Sequence, residues 1–101
     1  MSDLIRFEKH DDACDVYISG EVDLSNSTEI RKTILSALKT THSVTVDLSA
    51  VEYIDSSGIA AMVEGLQFAH SHSKNFTLRN PSKQVRSIME LARLDQVFHI
   101  E

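Results

Sequence analysis

The sequence predicts an α/β protein with a mixed, largely parallel five-stranded sheet and three helices mainly on one face. Apolar residues alternate as in strands or recur as in helices in the order β-β-α-β-α-β-α-β. Strand and helix alternate from Cys14 onwards, which favours parallel pairing. With 3 Gly and 1 Pro, the connections should be short. If successive strands lie side by side, right-handed crossovers place all three helices on one face.

The N-terminal part is predicted to be a β-hairpin followed by a helix. Residues 5–10 and 14–19 alternate in polarity, with an Asp-rich turn between them. Gly20 then breaks the strand pattern. A helix over residues 27–39 follows, with Asn26 as its cap. Its apolar stripe consists of Ile30, Ile34, Leu35 and Leu38.

The middle of the chain is predicted to be a strand, a loop and a second helix. Residues 44–48 form a β-branched strand that leads into a loop at Ser49 and Ala50. The second helix ends in the polar loop of residues 70–75. Its stripe consists of Ile59, Met62, Val63 and Leu66, of which Val63 should be almost fully buried, like Ile34 in the first helix.

The last third is predicted to be a strand around Phe76 and Leu78, a helix capped by Ser82 and a final strand over residues 97–100. The stripe of this third helix consists of Val85, Ile88, Met89 and Ala92. The whole chain, residues 1–101, is therefore expected to be one domain.

Composition excludes several function classes. The net charge of -5 makes nucleic acid and anionic membranes poor partners. No apolar run approaches the roughly 18 residues that span a bilayer. Residues 1–6 show no basic region followed by an apolar stretch, so no signal peptide is expected. The lone Cys14, which alternates with the polar face of its strand, fits a reducing cytoplasm. His70 and His72 lack further ligands, so no metal or cofactor is predicted.

The most informative stretch is Asp55-Ser56-Ser57-Gly58, where a helix begins. Residues 20–25 and 49–58 should share the carboxyl edge of the sheet, where α/β proteins place their sites. The first N–H groups of a helix lack internal partners, so a hydroxyl there caps the helix and a phosphate would be stabilised. Gly58 would let another protein approach the backbone. From these residues alone, an ordinary helix cap is the commoner explanation.

This part of the sequence resembles the STAS domain, the family of bacterial anti-sigma-factor antagonists. The signature consists of Asp47-Leu48-Ser49 after a strand and Ile54-Asp55-Ser56-Ser57-Gly58-Ile59 opening a helix. Gly20-Glu21-Val22-Asp23 is similar to a second family motif, and Asn80-Pro81 ends a strand as in the family. The resemblance spans about residues 5 to 100.

The resemblance implies a phosphorylation switch in a protein that is not an enzyme. A partner serine kinase of the GHKL type would phosphorylate Ser56, with Ser57 as the runner-up acceptor. A PP2C-type phosphatase would remove the phosphate. The unphosphorylated form would bind its partner, and the phosphorylated form would not. Among stand-alone members, the short format is similar to SypA-type biofilm regulators.

The candidate partner-binding residues surround the predicted acceptor. They are Asp23, Tyr53, Asp55, Ser56, Ser57 and Gly58. Asp23 and Asp55 would orient the acceptor hydroxyl or contact the kinase, with loop capping as the alternative. Tyr53 would be exposed on the loop and could anchor a partner.

Two other functions compete with the switch. The resemblance also includes accessory subunits of lipid-transport ABC systems, in which Ser56 would be a contact and not an acceptor. A serine hydrolase is disfavoured, because the chain lacks Gly-x-Ser-x-Gly and no His is placed by sequence to act as the base.

Overall fold

The computed structural model describes residues 4–101 and contains eight elements in the predicted order. The first three residues, which the predicted domain includes, lie outside this range. The elements are β1 (Ile5–His10), β2 (Ala13–Val22), α1 (Ser27–Thr40), β3 (Ser43–Ile54), α2 (Ser56–Ser71), β4 (Asn75–Arg79), α3 (Lys83–Leu91) and β5 (His99–Ile100).

The strands form one sheet in the order β1-β2-β3-β4-β5, which confirms the predicted side-by-side arrangement. β1 pairs with β2 antiparallel, and the other three pairings are parallel. Alternate strand residues are buried on one face, where they form a single core with the stripes of α1, α2 and α3. The three helices therefore cover one face, as predicted. Two predicted stripe residues are not part of this core: Leu35 on α1, and Ala92, which is exposed at the C-cap of α3.

The open face of the sheet is polar. Arg79 donates a hydrogen bond to Asp47 at 3.1 Å and lies 3.6 Å from Asp15. The Arg6 guanidinium stacks over the Tyr17 ring at 4.3 Å. These contacts pair the charged groups of this face with one another and with an aromatic ring.

Two strands are longer than predicted. β2 continues past Gly20 to Val22, and β3 continues to Ile54 where a loop was expected at Ser49 and Ala50. Two register shifts in the β2–β3 ladder each add one residue to β3. A bulge interrupts the alternation of polarity without ending the pairing, so the sequence pattern suggested a loop.

Other corrections concern burial and the last strand. Val63 is only half-buried, because Met62 and Gly65 occupy the innermost positions of α2. Cys14 shares the buried inner face of β2 with Val16, in line with its alternation with the polar face. β5 has two residues, and Val97 lies in the preceding turn, where its N–H donates to a carbonyl of the same turn.

Candidate functional site

The carboxyl ends of β2 and β3 lie side by side and carry the motif residues. Val22 pairs with Ile54, and the Asp55 N–H donates to the Val22 carbonyl at 3.0 Å. The segment leaving β2 and the start of α2 therefore share one edge of the sheet, as the sequence predicted. We call residues 23–25 and 53–58 the Ser56 edge.

Asp55 is the N-cap of α2. Its Oδ1 atom accepts hydrogen bonds from the Ser57 N–H at 2.9 Å, the Gly58 N–H at 3.2 Å and the Ser57 hydroxyl at 2.6 Å. The two N–H groups are among the four that a helix cannot satisfy internally. One carboxylate thus closes the first turn of α2 and fixes the neighbouring serine.

The two serines at the start of α2 differ in what their hydroxyls do. Ser56 is the first residue of α2 and is exposed, and its hydroxyl makes no hydrogen bond within residues 4–101. Ser57 is half-buried, and its hydroxyl is held by Asp55. Only the Ser56 hydroxyl is therefore presented to an incoming protein without first breaking a contact.

An Asp-x-Ser turn occurs three times and was not recognised as a repeat from the sequence. The Asp–Ser pairs are Asp23 with Ser25, Asp47 with Ser49, and Asp55 with Ser57. In each, the carboxylate accepts from the serine N–H at 2.9 Å and from its hydroxyl at 2.5 to 2.6 Å. The spacing of two residues between aspartate and serine, identical in all three pairs, is the feature of the sequence that could have indicated these turns. At the Ser56 edge, these turns expose their middle residues, Leu24 and Ser56.

Neither candidate carboxylate orients the Ser56 hydroxyl. Asp23 holds Ser25, and its carbonyl accepts from the N–H groups of Asn26 and Ser27. Asn26 precedes α1 but makes no side-chain cap bond. Its amide instead accepts from the Asp23 N–H and donates to a β2 carbonyl. The structure thus favours the loop-capping alternative for both aspartates.

Two large apolar side chains are exposed at the Ser56 edge. Tyr53 is 48% exposed, on β3 and not on a loop as expected, and Leu24 is 80% exposed. Leu24 was not among the predicted contact residues. Because exposed apolar side chains beside a functional group are typical anchors for a partner, both are candidates for its contact surface.

Gly58 faces inward, not towards a partner. A Cβ atom at this position would lie 2.6 Å from Cγ1 of both Ile54 and Val22. The missing side chain lets α2 begin directly against the ends of its own two strands. The expectation that Gly58 leaves space for another protein is therefore replaced by an internal packing role.

The family follows from a comparison over nearly the whole described chain. The family model described as "Mlab, STAS domain" matches residues 5–100. The chain belongs to the STAS domain family. In this STAS domain, the matched region includes both turns of the Ser56 edge.

Relatives and solved structures agree with this assignment. An anti-sigma-B factor antagonist of Staphylococcus epidermidis is 27% identical over 92 residues, 90% of this chain and 85% of that protein. An anti-sigma factor antagonist from Mycobacterium paratuberculosis superimposes with a TM-score of 0.84 at 24% identity, covering 95% of this chain and 82% of that one. The unphosphorylated form of the anti-sigma factor antagonist SpoIIAA superimposes with a TM-score of 0.82 at 19% identity, covering 96% of this chain and 87% of that one. The phosphorylated form of Bacillus SpoIIAA superimposes with a TM-score of 0.76 at 18% identity, covering 96% of this chain and 90% of that one.

Two kinds of feature are absent from the part of the chain that the structure describes. No helix there is long and apolar enough to cross a bilayer. No group of three or more His, Cys, Asp or Glu side chains in residues 4–101 is arranged to hold a metal ion. His72 instead stacks on Phe68, with 4.0 Å between the ring centroids, at the end of α2.

The cap of α2 should make stability depend on pH. The pKa of Asp55 lies below its usual 3.8, mainly because its carboxylate accepts a hydrogen bond from the Ser57 hydroxyl. Desolvation acts in the opposite direction and raises this pKa, whereas the hydrogen bonds from the Gly58 and Ser57 amides lower it further. This carboxylate therefore stabilises the fold above about pH 4, and the stabilisation is lost as the pH falls through the lower, folded-state pKa. Asp55→Asn should be less stable than wild type near neutral pH, with the difference shrinking below about pH 4.

Urea denaturation of both proteins over this pH range measures the effect. Ser57→Ala is the matched control: it keeps the Asp55 carboxyl but removes the largest cause of its lowered pKa, so its own pH dependence should be weaker than that of wild type. A difference between wild type and Asp55→Asn that stays constant down to about pH 3 would contradict the assignment.

Proposed function

We propose that this STAS domain is a phosphorylation-switched regulatory binding protein of the cytoplasm, and not an enzyme. The unphosphorylated form binds an anti-sigma-type partner. Phosphorylation of Ser56 by a GHKL-type serine kinase releases the partner, and a PP2C-type phosphatase restores binding. The observation that carries the proposal is the exposed Ser56 hydroxyl at the start of α2, next to a Ser57 hydroxyl that Asp55 already holds.

A phosphate at Ser56 would be tolerated by the fold but not by a bound partner. Phosphorylation adds about -1.5 to -2 charges, and the positive end of the α2 dipole offsets part of them. The surrounding surface carries Asp23, Asp55 and the exposed Glu52, on a chain of net charge -5. A partner seated here would have to desolvate the phosphate, so the charge acts on binding more than on folding.

The relatives support the same switch. SpoIIAA, whose fold this chain shares, is an anti-sigma factor antagonist with both an unphosphorylated and a phosphorylated form. The Staphylococcus epidermidis relative is an anti-sigma-B factor antagonist. The output of the switch depends on the partner, and biofilm regulation, as in SypA-type members, is one such output.

Phosphopeptide mapping of the protein isolated from its native cell tests the proposal. We expect phosphate on Ser56, increased when the phosphatase is deleted and lost when the kinase is inactive. Copurification should recover the kinase or the phosphatase. Phosphate found only at other residues, in both phosphatase-deficient and kinase-active cells, would overturn the assignment of Ser56.

Leu24 should contribute to partner binding without contributing to stability. Leu24→Ser removes an apolar side chain that is 80% exposed. The melting temperature should therefore change as little as it does for other surface substitutions, whose free energies of unfolding usually differ from wild type by less than about 0.5 kcal/mol. Affinity for the copurified partner should fall about tenfold, the effect of losing roughly 1.4 kcal/mol of buried apolar contact. Leu91→Ser is the matched control, since Leu91 is 87% exposed at the end of α3. Equal affinities of the two variants would remove Leu24 from the contact surface.

The alternative function is a constitutive accessory subunit of a lipid-transport ABC system. It is favoured by the exposed Leu24 and Tyr53, which form a contact surface that needs no phosphate to act. In that case copurification should recover an ABC ATPase. The affinities of Ser56→Ala and Ser56→Glu for that partner should depend on the size of the side chain at position 56 and not on its charge.

A further inference from the structure

A half-open groove of about 290 Å³ lies between β1 and α1. It is lined by Phe7, Lys9, Cys14, Lys32, Thr33, Ser36, Ala37, Thr40 and Thr41. We call it the β1–α1 groove. Its volume is at the lower end of the range of about 300 to 1,000 Å³ that is usual for small-molecule sites, so it suits one small ligand.

Apart from the two lysines, the floor and walls of this groove consist of apolar side chains, a neutral thiol and hydroxyl groups. Cys14 is buried at the start of β2, and burial followed by the Asp15 charge raises the pKa of its thiol, so the thiol stays neutral. The hydroxyls of Thr33 and Thr40 donate to carbonyls of their own helix at 3.0 and 3.2 Å. The Thr41 hydroxyl donates to the Ala37 carbonyl at 2.7 Å. These three threonine hydroxyls need no ligand, whereas the Ser36 hydroxyl makes no hydrogen bond within residues 4–101 and adds one polar group to the wall.

The charge of the groove is opposite to that of the protein. Lys9 on β1 and Lys32 on α1 line the groove from two different elements, and no carboxylate is among its lining residues. Both lysines are exposed, and neither forms a salt bridge within residues 4–101. On a chain with 15 acidic and 10 basic side chains, two cations that form no ion pair within residues 4–101 give this groove a local preference for an anion.

A second groove, between α1 and α2, shows the contrast. It also contains a cation, Arg31, but Glu64 lies 3.4 Å away and lines the same groove. The charges there neutralise each other, so that groove has no net preference for an anion. The β1–α1 groove lacks such a carboxylate.

We propose that the β1–α1 groove binds a small amphipathic carboxylate, such as a medium-chain fatty acid. The apolar tail would lie against Phe7, Ala37 and the Cys14 thiol, where it is removed from water. The carboxylate would lie at the mouth between Lys9 and Lys32, where charge-assisted hydrogen bonds are the strongest available.

This site is independent of the proposed phosphorylation switch. Cys14 lies at the start of β2 and Val22 at its end, and eight strand residues span about 26 Å. A ligand in the groove would not touch Ser56. Failure of one proposal therefore leaves the other intact.

Amide NMR spectra of the whole protein test the proposal. Decanoate, added below its micelle concentration, should shift the amide signals of Cys14, Ala37 and Thr41 in a saturable way. Decanol, which has a similar tail without the charge, should bind at least about tenfold more weakly, as expected for one charge-assisted contact.

Matched double variants identify the cations. Lys9→Gln/Lys32→Gln should weaken decanoate binding about tenfold or more. Lys39→Gln/Lys83→Gln changes the net charge equally outside the groove and should leave binding unchanged. Decanoate that leaves these NMR signals unchanged would overturn the proposal, as would equal binding by the two double variants. Shifts of the same signals by anionic phospholipid vesicles but not by decanoate would overturn it in favour of a membrane contact.

Discussion

Ser56→Ala should bind the partner as tightly as the unphosphorylated wild type, whereas phosphorylated wild type should bind more than a hundredfold more weakly. A like-charged contact at an interface costs several kcal/mol, and about 3 kcal/mol corresponds to more than a hundredfold. The Ser56 hydroxyl makes no hydrogen bond within the described residues, so its removal leaves no unpaired group behind.

Acidic replacements should reproduce part of this loss. Ser56→Glu and Ser56→Asp bring one charge and no phosphate, so we expect about tenfold weaker binding or more. At the first position of α2, a carboxylate interacts favourably with the helix dipole, and the melting temperature should not fall. Unchanged circular dichroism together with weaker binding would show that the charge acts at the interface.

Calorimetric titration of the copurified partner measures these affinities. Ser87→Glu is the matched control, because Ser87 is exposed on α3 and the substitution adds the same charge elsewhere. Equal affinities of Ser56→Ala, Ser56→Glu and wild type would mean that charge at Ser56 is not the switch. A loss of folding in Ser56→Glu would mean that the effect acts through stability.

The order of elements was predictable because burial on one face imposes a simple periodicity. Ile30, Ile34 and Leu38 recur at helical spacing and are all fully buried. The departures arise where tertiary contacts override that periodicity. Because β3 continues through two bulges, Ser49 belongs to the strand and not to a loop. Gly65, which is not part of the apolar stripe, occupies an inner position of α2 that faces Ile34 and Phe76.

The site was predictable in its position but not in its contacts. The Asp-Ser-Ser sequence indicated a helix start, and the structure has one there. Which serine is free depends on the direction of the Asp55 carboxylate, and spacing alone does not set that direction. Similarly, a glycine in the first turn leaves space on whichever side the helix packs, and for Gly58 that side is the core.

Gly65 and Ile34 should prove to be energetically coupled at the contact between α1 and α2. Ile34 is fully buried, and Ile34→Ala should cost about 2–5 kcal/mol of unfolding free energy. A Cβ at Gly65 would lie 2.9 Å from Cγ2 of Ile34 and 3.1 Å from the Phe76 ring. Alanine is more favourable than glycine in a helix by about 1 kcal/mol. Overpacking costs about 1–3 kcal/mol, so Gly65→Ala should be destabilising.

In the double variant, the two effects should partly cancel. Ile34→Ala removes the Cγ2 atom that a Cβ at Gly65 would meet, and the new methyl group fills part of the cavity. The double variant should therefore be more stable than the sum of the single changes predicts, by about 0.5–3 kcal/mol. Ile30→Ala is the matched control, since Ile30 is equally buried one turn earlier and is not among the atoms nearest Gly65.

Urea denaturation of the six proteins, wild type included, gives both double-mutant cycles. Ile30→Ala and Gly65→Ala should add within about 0.5 kcal/mol, as residues without a shared contact do. A cost below about 0.5 kcal/mol for Ile34→Ala would contradict the inward orientation of α1, because deleting a fully buried Ile side chain cannot be that cheap in a close-packed core. Additivity of Ile34→Ala with Gly65→Ala would contradict the close approach of the two helices, since the methyl group at position 65 would then meet no obstacle that Ile34→Ala removes.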